Sequence, residues 1–87
     1  MAINLEKLLD QFDKEYEFLY EADGRGAYVA GYREALEEGD RIIRENHDLI
    51  RAFARLRGDI LTSDREVAAF AFALYEVLSD EPAVSVL

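Results

Sequence analysis

Between Tyr28 and Leu56 the apolar positions of this chain follow one another at alternating steps of four and three. The series is Tyr28, Tyr32, Ala35, Gly39, Ile42, Asn46, Leu49, Phe53 and Leu56, and Val29, Leu36, Ile43 and Ile50 run beside it at intervals of seven. Such spacing keeps one face of a helix apolar for about eight turns. It predicts one long helix over 27–57, with Gly58 as its C-terminal cap. At roughly 1.5 Å per residue that rod exceeds about 40 Å, more than a domain of this size spans. It is therefore expected to be the spine on which the other elements pack, and part of a contact between subunits.

Two further helices flank it. Asn4 can cap a first helix over 4–22, whose apolar face is Leu5, Leu8, Leu9, Phe12, Tyr16 and Leu19. Asp23-Gly24-Arg25-Gly26 then supplies the glycines that a reversal needs. Ser63-Asp64-Arg65-Glu66 has the S-x-x-E form of a capping box and opens a third helix over 64–80. Pro82 stops it, because the residue before a proline is disfavoured in the helical region. Beyond lies a short apolar tail, 82–87. The expected architecture is all-α: a single domain over 1–87, a three-helix antiparallel bundle built on one long, coiled-coil-like central helix.

Within that frame two positions interrupt the stripe. Gly39 lowers helix propensity by about 1 kcal/mol relative to alanine, which is tolerable where a neighbour presses close. Tyr16 or Phe70 are the expected occupants, and Gly31 beside Tyr32 suits a similar approach. Asn46 stands where a heptad wants an apolar side chain. There it either fixes register, as buried polar residues do in coiled coils, or lies at a helix edge and bonds water or a carbonyl.

The third helix points to a partner. Val67, Phe70, Ala71, Leu74, Val77 and Leu78 form one face, enough to pack on the spine. The opposite side holds Phe72 with Ala68, Ala69 and Tyr75, and a helix apolar all round is normally covered on both sides. With 87 residues there is little chain left to cover it. The expected resolution is a self-contact through Phe72, Tyr75, Ala68 and Ala69, joined by Phe18 of the first helix. The rival is closure of a monomer by Val84, Val86 and Leu87 over Phe72.

Charge narrows the choice of partner. The chain carries a net −9, divided as −5 over residues 1–23, +1 over 24–58 and −5 over 59–87. Such a balance opposes direct binding to nucleic acid phosphates or anionic lipid. On the long helix Arg33, Glu37, Arg41 and Glu45 alternate in sign at steps of four, as do Asp40, Arg44 and Asp48, which makes a solvated ladder of ion pairs. Past Asp48 the ladder ends. Arg51 and Arg57 have no acid four residues away and Arg55 has only Asp59, beyond Gly58; the three are expected to meet the acidic first helix, a neighbouring chain or an acidic ligand.

Little chemistry is legible. There is no cysteine, hence no disulfide or thiolate site, and a reducing, cytoplasmic setting is the expectation. Glu6, Lys7 and Asp10 interrupt the start of the chain, unlike a secretory leader, and the uncharged run 67–75 is half the length of a membrane span. His47 follows Arg44 where a di-iron bundle would need glutamate, so neither metal nor other cofactor is expected. Glu34-x-x-Glu37 and Glu45-x-x-Asp48 have the spacing of magnesium-binding carboxylate pairs, yet the first pair belongs to the outward ladder. The expected function is that of a small acidic protein–protein interaction module, a homo-oligomeric adaptor or regulator without catalysis, binding itself and another protein. The alternative is an acidic decoy whose carboxylates imitate nucleic acid and occupy a DNA- or RNA-binding protein.

Overall fold

The computed structural model describes residues 3–21 and 30–80. Among these residues the chain is all helical: α1 (Leu5–Glu21), α2 (Tyr32–Glu45), α3 (His47–Arg57) and α4 (Asp64–Asp80). The Asp23–Gly26 reversal, the Tyr28–Val29 start of the stripe, Pro82 and the 82–87 tail lie outside the described residues. The caps follow the sequence. Asn4 Oδ1 accepts the Lys7 amide at 3.1 Å, and Ser63 Oγ accepts the Glu66 amide at 3.1 Å.

The single rod expected over 27–57 is not found. It divides at Asn46 (φ −129°, ψ 62°) into α2 and α3, and the helical part begins only at Tyr32, behind a left-handed Gly31 (φ +82°). The break has a local and a tertiary cause. Asn46, His47 and Asp48 are three consecutive weak helix formers. It is also where the packing partner changes, since α2 lies on α4 whereas α3 lies on α1. Asn46 is consequently exposed rather than a buried register residue. Its amide donates to Ile42 O at 2.8 Å, and its Nδ2 to the same oxygen at 3.4 Å.

The spine is α4 instead. Ala68, Ala69, Phe70, Ala71 and Ala73 are completely buried, because α1 covers one side of α4 and α2 the other. The apolar circumference that seemed to require a second copy is thus largely covered within one chain. Four alanines let the flanking helices come close. The aromatic centre lies where α1, α3 and α4 meet: Phe53 sits edge-on to Phe12 at 5.4 Å and to Phe70 at 5.1 Å between ring centroids.

α2 and α4 approach each other closely at Gly39. A Cβ built there would stand 2.7 Å from both Val67 O and Val67 Cγ1, so the occupant is neither Tyr16 nor Phe70 but Val67, with its backbone and its side chain. Gly31 faces Phe72 in the same antiparallel register. At the end of α3, Gly58 (φ +90°) donates to Ala54 O at 2.8 Å, as its expected capping role requires. Open space surrounds that position, so Gly58→Ala should cost about 1 kcal/mol through left-handed backbone strain alone. A urea melt would read this as a lower midpoint with an unchanged slope.

Candidate functional site

The break at Asn46 exposes a second apolar line. On the inner side of α3 Phe53 is fully buried, with Leu49 and Ala52 half-buried beside it. Around the helix, Ile43, His47, Ile50, Arg51, Ala54 and Ile60 line an open groove of roughly 370 Å³ whose walls are almost wholly apolar. Ile60 is 61% exposed, level with Tyr20 at 60% and Phe18 at 56%. Next to it Arg51, Arg55, Gly58 and Asp59 shape an adjoining hollow. Ile43 and Ile50 come from the seven-spaced line that runs beside the main stripe of the sequence. Ile60 had no helical pattern to mark it.

The three arginines separate in role. Arg57 is committed inside the chain. It pairs with Glu66 Oε2, donates to Ile60 O at 3.1 Å, and lies over the Phe12 ring at 5.1 Å. It therefore ties α3 to α4 and α1 and is not available to a partner. Arg51 and Arg55 are exposed and make no ion pair among the described residues.

Glu66 is the other end of that tie. Its Oε1 accepts the Thr62 and Ser63 amides at 2.9 and 3.0 Å and both hydroxyls at 3.1 and 3.2 Å. Burial raises its pKa, but the Thr62 amide, Arg57, the Ser63 amide and the Thr62 hydroxyl together outweigh that and hold the carboxyl at about 2.

The surface expected for self-contact is dispersed. Ala68 and Ala69 belong to the core of the single chain, which removes them from any outer surface. Phe72 is half-buried against Gly31. Tyr75 and Phe18 do remain outside, at 41% and 56% exposed, on different helices. Burial pushes the Tyr75 phenol up, Arg41 draws it down, and Glu34 adds to the rise. Of the expected ladder only Arg41–Glu45, at 2.8 Å, forms an ion pair among the described residues; Arg41 also pairs with Glu38, which the ladder did not include.

Among the described residues no group of three or more His, Asp or Glu side chains is placed to hold a metal ion. Nor is any helix among them long and apolar enough to cross a membrane. Compared with known proteins, the chain matches no family model, no curated protein and no solved structure.

Proposed function

We propose that this chain is a non-catalytic protein-binding module, an adaptor or regulator that associates with copies of itself. The groove beside α3 carries the proposal. Ile60 is exposed and Ile43 and Ile50 are only half-buried, in a fold that buries every large apolar side chain of α4 but Tyr75 and parts of Phe72 and Leu78. An apolar strip edged by arginines favours association with protein surfaces over small polar substrates. Sedimentation equilibrium from low to high micromolar concentration tests the self-association. A mass rising toward a dimer or a larger closed assembly is expected, and a strict monomer throughout would overturn it.

One observation favours the acidic decoy as a second proposal. Glu6, Asp10, Asp13 and Glu17 are exposed and fall within one narrow sector of α1. Successive carboxylates there are about 4.5–6 Å apart along the axis, comparable to a row of phosphates. This reading expects a monomer that co-elutes with a basic nucleic-acid-binding protein and loses the complex when Asp10, Asp13 and Glu17 are neutralised together. Retention of that complex in the neutralised variant would remove it.

A further inference from the structure

The uncovered face of α3 carries both signs of charge along one flank. His47, Ile50, Arg51 and Ala54 face the groove. Asp48 and Arg55 are exposed beside it, seven residues apart, and therefore lie on nearly the same side of the helix. Neither makes an ion pair among the described residues. A purely acidic ligand laid along this groove would meet Arg51 and Arg55 favourably but Asp48 and Asp59 unfavourably. A second copy of the same surface, turned end for end, gives Asp48 and Arg55 each a partner of opposite sign.

We infer that α3 pairs with α3 of a second copy in antiparallel fashion about a twofold axis, with Asp48 of each chain opposite Arg55 of the other. The inference rests on the self-association proposed above and names its surface. A twofold perpendicular to the helices keeps each flank on its own side while reversing direction, so positions seven apart on one flank exchange partners. Two ion pairs form, both drawn from side chains that are idle in the single chain. Ile43 and Ile60, which line the same groove, fall within the contact. Arg51 falls beside the axis near its own copy, one turn from Asp48. That like-charge approach, with a helix only 11 residues long, limits the contact to a micromolar or weaker dimer.

Sedimentation equilibrium of the full chain and a charge exchange test it. Asp48→Arg and Arg55→Asp should each raise the dimer dissociation constant roughly tenfold or more, and the double exchange should restore it substantially. Arg51→Ala should tighten the dimer, whereas it would weaken the hold on an acidic partner. Circular dichroism accompanies each variant. Should a helix variant unfold, Ile60→Asp, exposed and outside any helix, carries the same expectation of a weakened dimer. A dimer indifferent to both single charge changes and to Ile60→Asp would overturn this surface while leaving self-association standing. A wild-type chain that stays monomeric would overturn both.

Discussion

Gly39→Val should remove about 3 kcal/mol or more of stability, a large part of the roughly 5–10 kcal/mol that a chain of this length holds. Gly39→Ala should still lose on the order of 1–2 kcal/mol, although alanine is the better helix former by about 1 kcal/mol. The sign follows from what the new atom meets. A methyl at Gly39 would lie 2.7 Å from Val67 O, a backbone atom inside the buried run of α4. The carbonyl is fixed by the helix to which it belongs, so relief requires the whole of α2 to move away. Val67→Ala in the Gly39→Ala background clears Cγ1 but not the oxygen, and should restore little. Urea melts of the three variants check this, and a higher midpoint for Gly39→Ala would refute the close approach.

Local chemistry made the ends of the helices legible, and long-range packing hid the middle. Asn4, Ser63 with Glu66, and Gly58 act through atoms within a few residues of themselves, so their capping roles could be inferred without the fold. The division at Asn46 could not be inferred that way. The four-and-three spacing continues through Asn46, and the change of neighbours that accompanies the bend, from α4 along α2 to the junction of α1 and α4 at Phe53, is not local. Asn46-His47-Asp48 was the available signal, a run of three weak helix formers, but a weak propensity is readily overridden by packing. The same omission misplaced the exposed surface. Ile43 and Ile50, which run beside the stripe, border a groove, while Ala68 and Ala69 go to the core. Alanines are ambiguous in this respect. On a helical wheel they appear as a permissive outer side, whereas in the fold they are the means by which α1 and α2 approach α4.

Glu66→Ala should cost about 3 kcal/mol, because it removes several bonds at once and strands a charge. Thr62 and Ser63 lose the acceptor of both their amides, and Arg57 is left over Phe12 with no anion beside it. Glu66→Gln, which keeps the shape, separates the charge from the packing through pH. The carboxyl titrates near 4.5 when unfolded and at about 2 when folded, so as acid is added the unfolded chain takes up the proton first. The stabilisation from ionised Glu66 is therefore whole above about pH 5 and fades as pH falls toward 2, amounting to something on the order of 2 kcal/mol after solvent screening. The other carboxylates are common to wild type and variant and cancel in the comparison. The gap between the two urea midpoints should accordingly be widest near neutrality and nearly close by pH 2. A gap of constant width would mean that Glu66 holds the α3–α4 junction by shape rather than by charge. The Arg57 tie would then contribute no more than an exposed ion pair.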